Sequence, residues 1–296
     1  MKTNPHLPLT RVHSALVDGD VIAVVAASVT EPTHWEVHCK GVCLSEHRYK
    51  AEAKTWVETQ AAPDKSIFSY VGVKKLEPVQ NALQVVKTML EEIKTNLQVN
   101  SLEVYLTSQD KSNFRFNIAK TVPYKGNRTS DKPTHFQACY DYLVKVHHAT
   151  VVYGMEADDA MGIAQTAAWQ SLTQDDQCID SDVTVICTTD KDLRQIPGYN
   201  YNITTKVLTY ITYLEGRKQL WYQTLIGDPT DNIRGLNQVG PVMGEAILRG
   251  ATSDEAMKER VIKAYTDRGC TEDYYNEQYN LVHILENQEQ YEHIIS

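Results

Sequence analysis

The chain has 296 residues, 42% of them hydrophobic and 23% charged, with a formal net charge of −9. That is enough chain for one large domain, or for a core domain with a smaller appendage, and enough apolar residue to bury a core. No apolar run approaches the roughly 18 residues that a bilayer requires, and the opening MKTNPHLPLTR lacks the apolar segment of a secretion signal, which excludes membrane and secreted classes. Six cysteines without the dense spacing of a disulfide scaffold point to reduced thiols and a cytoplasmic protein.

In chain order, SALVDGD (14–20) reads as a buried strand ending on Asp18, and VIAVVAASV fits either a strand or a buried helix. From Trp35 to Val57 the pattern is helical. A helix through EVHCKGVCLSEH would put Cys39, Cys43 and His47 on one face by its own period, and His38, Cys39, Cys43 and His47 lack a standard zinc spacing. Residues 67–75 alternate like a strand. The stripe Leu83, Val86, Leu90, Ile93 and Leu97 after Pro78 makes 78–98 a helix, and strand LEVYLT follows, ahead of Asp110. This helix-to-strand alternation predicts an α/β fold with a mostly parallel central sheet flanked by helices.

Between Lys111 and Lys132 stand six basic residues against the single acid Asp131. Such a stripe can hold phosphates although the chain as a whole is acidic. A helix over 134–147 leads to strand ATVVY and then to GMEADDA, where Glu156, Asp158 and Asp159 crowd one strand-to-helix junction. Helix 158–172, a loop at 173–182 and strand VTVICTT lead to Asp190 and Asp192. Residues 199–220 suggest a small hairpin or crossover. Beyond Trp221 come a short helix, an acidic turn with Asp228 and Asp231, a glycine-bearing loop from Gly235 to Gly240, a helix from Pro241, and a helical cap over 251–296.

Acids at an N-terminus favour the helix dipole, but three in four residues repel one another unless a cation sits among them. Asp18, Asp110 and Asp190 also follow apolar strand runs, and in an open parallel sheet the carboxyl ends of the strands share one crevice. The pattern predicts one acidic floor of oxygen ligands suited to Mg²⁺ or Mn²⁺, with hydrolysis of a phosphate ester as the natural chemistry and Lys125 or Arg128 within reach of the phosphate.

The order VDGD (17–20), SQDKSNFR (108–115), PYKGNR (123–128), GMEADD (154–159), TTDKD (188–192) and GDPTDNIRG (227–235) resembles the 5′-nuclease family of the PIN-like superfamily, in particular the bacteriophage 5′ to 3′ exonucleases that double as flap endonucleases and ribonuclease H. The resemblance implies an α/β nuclease core over 1–200 with a short arch near 120–148, and a helix–three-turn–helix (helix-hairpin-helix) region with a helical cap over 201–296. It implies two Mg²⁺ ions, replaceable by Mn²⁺. Asp18, Asp110, Glu156 and Asp158 would serve the first, and Asp159, Asp190, Asp192, Asp228 and Asp231 the second.

Lys125 and Arg128, with Asp158, are implied as catalytic. Tyr124, Lys125, Arg128, Arg115, Gly235, Val239 and Gly240 are implied as DNA-binding, with Tyr124 stacking on a displaced base and K⁺ held by the glycine loop. Gln238 and Val242 depart from the family at that loop. The implied partner is duplex DNA with a 5′ end or 5′ flap, or an RNA–DNA hybrid, bound by a monomer in phage replication or recombination. Three rivals differ in what they leave idle. A haloacid-dehalogenase-type phosphatase would use Asp18 and Asp20 and ignore EADD and TTDKD; a PIN-like ribonuclease would have no use for a duplex-binding glycine loop; a non-catalytic DNA-binding module would gain nothing from the acids.

Overall fold

The computed structural model describes residues 12–129, 131–173 and 183–296. Most of the loop expected at 173–182, with Cys178, lies outside them. The first elements are β1 (Val12–Asp18), α1 (Gly19–Val29), β2 (Thr33–Cys39), β3 (Val42–His47), α2 (Lys50–Thr59), β4 (Phe68–Lys74), α3 (Val79–Leu97) and β5 (Ser101–Thr107). There follow α4 (Arg115–Ile118), α5 (Phe136–His147), β6 (Thr150–Val152), α6 (Ala157–Thr173), β7 (Val183–Thr188), β8 (Gly198–Asn202) and β9 (Leu208–Ile211). The C-terminal end is helical: α7 (Tyr213–Ile226), α8 (Pro241–Leu248), α9 (Asp254–Thr266), α10 (Glu272–Val282) and α11 (Gln288–Ile295).

The chain divides into two compact units, one drawn from 1–21, 89–131 and 143–296, the other from 22–88 and 132–142. The first holds a six-stranded sheet in the order β6-β5-β1-β7-β8-β9, parallel except for β9. Ala15, Leu16 and Val17 of β1 are all buried, as a strand covered on both faces requires. From β1 the chain builds outward through β5 and β6 on one side and through β7 and β8 on the other. The order therefore reverses at β1, and the crevice beyond its carboxyl end, where Asp18 stands, is the place where ligands bind in such sheets.

Helix α6 packs on β1, β5 and β7, closing a core of Leu16, Met161, Ile186, Leu193, Ile196 and Ile284. The helical end has its own core, in which Trp221 and Leu225 of α7 meet Leu248, Met257, Val261 and Tyr265. Leu236 and Val239 from the glycine-bearing loop are buried in the same cluster. Thr212, Ser253, Thr271 and Asn287 cap α7, α9, α10 and α11 by accepting from backbone amides. The mostly parallel sheet with flanking helices and a helical C-terminal region is the architecture that the sequence pattern predicts. Among the described residues no helix is long and apolar enough to cross a membrane.

The second unit contains an antiparallel sheet, β3-β2-β4, covered on one face by α2 through Trp35, Val37, Ala53, Val57 and Phe68. Here the expectation of a helix from Trp35 to Val57 is corrected. Lys40 and Gly41 adopt left-handed backbone, with φ of 49° and 80°, and turn the chain into a hairpin, so helix begins only at Lys50. The ambiguous VIAVVAASV is helical, burying Ile22, Ala23, Ala26 and Ala27 at helical spacing. The segment expected as an arch turns at 124–127 and, among the described residues, has no helix between Ile118 and Phe136. The helix expected from Trp221 begins earlier, at Tyr213.

The acidic turn after α7 depends on two glycines. Gly227 and Gly235 have φ of 70° and 64°, and a Cβ on Gly235 would stand 2.3 Å from the Gly227 amide nitrogen. Gly250 shares the left-handed φ, at 76°, but its Cβ would meet open space. Alanine at 250 therefore carries only the conformational cost, about 1 kcal/mol, whereas alanine at 235 must also displace backbone. Urea unfolding should show Gly235→Ala less stable than Gly250→Ala by at least about 1 kcal/mol.

Candidate active site

Beyond the carboxyl end of β1 the Asp18 carboxylate is buried, accepting from the Val21 amide at 2.9 Å and from the Thr188 hydroxyl of β7 at 2.7 Å. Burial pushes its carboxyl up to about 7, and the Asp20 charge adds to this. Asp20 itself accepts from the Thr107 amide at 3.0 Å, tying α1 to the end of β5.

After β7, the Thr188 hydroxyl accepts from the Asp190 amide and the Asp190 carboxylate from the Asp192 amide, successive short turns that lay both acids at the strand end. Burial raises Asp190, and burial with the Asp190 and Asp228 charges takes Asp192 to about 7. Asp158, in the first turn of α6, is held well above the ordinary carboxylate range by burial and then by Asp18 and Asp190.

The remaining acids of the cleft have cationic partners. Lys125 is ion-paired to Glu156, and its Nζ lies 3.6 Å from Asp231. Arg128 pairs with Asp231, and Lys191 reaches Asp228 at 2.9 Å. Burial alone would raise Glu156, but Lys125 and Arg115 outweigh it and keep the carboxyl below its usual range. Asp228 is likewise lowered, burial being outweighed by Lys191 and the Thr230 amide. Lys125 has a left-handed φ of 55°, and its amide donates to the Asp231 carbonyl at 2.8 Å, so the turn at 124–127 is fastened to the Asp228–Asp231 loop.

The structure thus brings Glu156, Asp158, Asp190, Asp192, Asp228 and Asp231 to one cleft with Lys125, Arg128 and Lys191. Asp18 is buried outside the cleft lining; its charge acts on Asp158, and that of Asp190 acts on Asp18.

Other residues implied by the resemblance are placed elsewhere. Asp110 is exposed, caps its own turn by accepting from the Ser112 amide at 2.9 Å, and lies outside the cleft lining. Asp159 lies outside the lining too. It is 0% exposed, and its carboxylate accepts four hydrogen bonds, from both Arg115 terminal nitrogens at 2.6 and 2.8 Å and from the amides of Glu156 and Leu285. A carboxylate so saturated has no lone pair to offer a metal.

Its partner Arg115, 1% exposed, also donates to the Leu281 and His283 carbonyls and cannot reach DNA. Tyr124 is 4% exposed, its hydroxyl 3.0 Å from Glu156 and 2.8 Å from Asp231, so it positions carboxylates and presents no ring for stacking. Gly235 spends its amide on Gln278 and its carbonyl on Tyr274, and Val239 is core. Of Gly235, Val239 and Gly240, only Gly240 is exposed, at the start of α8.

Sequence reasoning missed Lys191, whose position between two acids in TTDKD was its signal. It also missed the segment Leu281–Leu285, which carries no polar motif yet lines the cleft through Leu281, Val282 and Ile284.

Two tests follow from this geometry. Breaking a buried, hydrogen-bonded ion pair costs about 3–5 kcal/mol. Asp159→Asn should lose stability of that order in chemical denaturation. The second concerns pH. Asp18 and Asp192, raised from 3.8 to about 7, hold protons in the folded chain between those values, and Asp158 and Asp190 are raised in the same direction, so stability falls as pH rises through that window. Glu156 and Asp228 act in the opposite direction, but only below their unfolded values of 4.5 and 3.8. With chelator present, unfolding free energy should fall by on the order of 1–2 kcal/mol from pH 5 to 7.5, and Asp18→Asn should flatten the fall.

No family model matches the chain, and no curated protein matches it in sequence. Among solved structures, a bacteriophage T5 protein co-crystallised with metal ions is similar at 12% identity, with 95% of this chain and 96% of that chain covered and a TM-score of 0.56. The bacteriophage T5 flap endonuclease, in a pseudo-enzyme–product complex with DNA and metal ions, is similar at 12% identity over 91% of this chain and 97% of that one, with a TM-score of 0.50. At this identity the likeness is one of fold: the chain has the fold of the T5 flap endonuclease, mostly parallel sheet and helical C-terminal region included.

Proposed function

We propose that the acidic cleft is the active centre of a metal-dependent 5′-nuclease that hydrolyses phosphodiesters in DNA. One observation carries this reading: Asp18, Glu156, Asp158, Asp190, Asp192, Asp228 and Asp231, drawn from four separate stretches of chain, converge with Lys125 and Arg128 beyond the ends of parallel strands. The donor set is all oxygen, which suits Mg²⁺ or Mn²⁺. It also fits a cation physically, because among the described residues no ion pair reaches Asp18, Asp158, Asp190 or Asp192, and burial with mutual repulsion raises all four.

Asp18, Glu156 and Asp158 would serve one ion, and Asp190, Asp192, Asp228 and Asp231 a second. Bound there, the pair would polarise the phosphodiester and stabilise both the attacking and the leaving oxygen. Lys125 and Arg128 supply the cationic grip on the scissile phosphate, exchanging the carboxylate each now holds for the phosphate oxygens. Tyr124 orients Glu156 and Asp231.

Polarity and flap preference are carried over from the likeness to the T5 enzyme and from the ordered motifs. The substrate is accordingly duplex DNA with a 5′ end or 5′ flap, with RNA in a hybrid as a second substrate. The helical region after residue 201, through Gly240 and the start of α8, is assigned to the duplex backbone, with K⁺ on carbonyls of the same loop. We assign the protein to a monomeric form in the host cytoplasm, in phage replication or recombination.

Cleavage of a duplex with a labelled 5′ flap tests this. Products should leave from the 5′ side only with Mg²⁺ or Mn²⁺, Asp158→Asn should abolish them with flap binding retained, and Lys125→Ala should slow cleavage by about 10²–10³-fold. A wild type that binds the flap but cuts it with neither ion overturns the assignment in favour of a binding module. Cleavage confined to single-stranded RNA overturns it in favour of a ribonuclease.

A further inference from the structure

The antiparallel sheet β3-β2-β4 carries metal-binding side chains of a different chemistry. Along β2 the side chains alternate, and Trp35 and Val37 go to the face covered by α2, with Cys39 next in that row. Glu36 and His38 stand on the opposite face. The pairing of β2 with β4 is regular from Thr33 to Cys39, so β2 keeps this alternation throughout.

β3 does not. Glu36 pairs with Glu46 and Val37 with Ser45, so an unbroken register would set Leu44 opposite His38. Instead the register shifts, His38 pairs with Cys43, and Leu44 is left over, 49% exposed. A bulge of this kind re-aims a side chain at the expense of one residue's pairing. Its effect here is to put a thiol beside the imidazole where a regular hairpin would put an isobutyl group.

The result is a compact donor set. A carboxylate oxygen of Glu36, a ring nitrogen of His38 and Cys43 Sγ all lie within 4.8 Å of one another. His38 Nε2 and Glu36 Oε2 are 2.7 Å apart, and the Cys43 thiol makes only a weak 3.7 Å contact to the Ser45 carbonyl. Tetrahedral Zn²⁺ holds N, O and S donors at about 2.0–2.3 Å, which separates the donors by roughly 3.3–3.6 Å. Cys43 is exposed and the other two are half-buried, which leaves the side chains room to rotate toward that arrangement. One thiolate, one imidazole and one carboxylate form a borderline-soft set that selects Zn²⁺ over Mg²⁺.

We propose that Glu36, His38 and Cys43 form a three-ligand Zn²⁺ site that pins β2 to β3 across the bulge and leaves a fourth position to water. Binding releases the thiol proton to solvent, and the metal replaces the Glu36–His38 hydrogen bond.

Co²⁺ added to the purified, reduced full-length chain tests this, because a thiolate ligand gives a near-ultraviolet charge-transfer absorption that the all-oxygen cleft cannot give. The band should saturate at one Co²⁺ per chain, be displaced by Zn²⁺ but not by Mg²⁺, and be unchanged in Asp158→Asn and in Cys39→Ser. Cys43→Ser should abolish it while far-ultraviolet circular dichroism shows the fold intact, and His38→Ala should weaken Co²⁺ binding at least about tenfold. Absence of the band in the wild type at millimolar Co²⁺, its survival in Cys43→Ser, or its loss in Cys39→Ser overturns the site.

Discussion

The cleft stands on one buried ion pair. The Arg115 guanidinium and the Asp159 carboxylate meet in a two-pronged contact closed to solvent; Arg115 Nε and Nη2 also donate to two backbone carbonyls, and Asp159 also accepts from two backbone amides. Through it α4, the start of α6 and the segment after α10 are held to one another. Taking two charges out of water is costly, and the cost is offset here by near-complete hydrogen bonding. What the pair contributes is placement. The Glu156 amide is anchored on Asp159, which fixes the strand-to-helix junction from which Glu156 and Asp158 enter the cleft.

Upon that base the acids sort into two groups. Glu156, Asp228 and Asp231 each have a cation from the chain itself, in Lys125, Lys191 and Arg128, and Glu156 and Asp228 are kept ionised by theirs. Asp18, Asp158, Asp190 and Asp192 have burial and one another. The rim is thus balanced internally, and the floor is left with an excess of negative charge that protons partly neutralise. On the proposed reading a divalent ion would gain most on the floor, and a phosphate would gain most on the rim, where Arg128 and Lys191 are exposed. Catalysis of phosphodiester hydrolysis needs both regions side by side.

Much of this was legible in the sequence because strand ends are legible. Apolar runs closed by Asp18 and by Asp190 gave the sheet direction and the floor together, and the order of the motifs gave the family resemblance. What escaped was decided by partners distant in sequence. Asp159 looks like its neighbour Asp158 until Arg115, 44 positions earlier, claims it. Gly235 offers an amide until Gln278, 43 positions later, takes it. The β2–β3 hairpin escaped for a local reason: its bulge breaks the two-residue alternation at Leu44, and what remains mimics a helical spacing. Asp110 shows that adjacency to a strand end does not by itself put a side chain in the cleft lining.

The segment from Leu281 to Leu285 both lines the cleft and holds Arg115 by its carbonyls. Consequently the cleft depends on a stretch far from its acids in sequence: Arg115 is tied to carbonyls 166 and 168 positions away, and without them its guanidinium would lose both backbone acceptors. The cleft is therefore closed by sequence-distant contacts, and the acid-bearing stretches do not complete it among themselves.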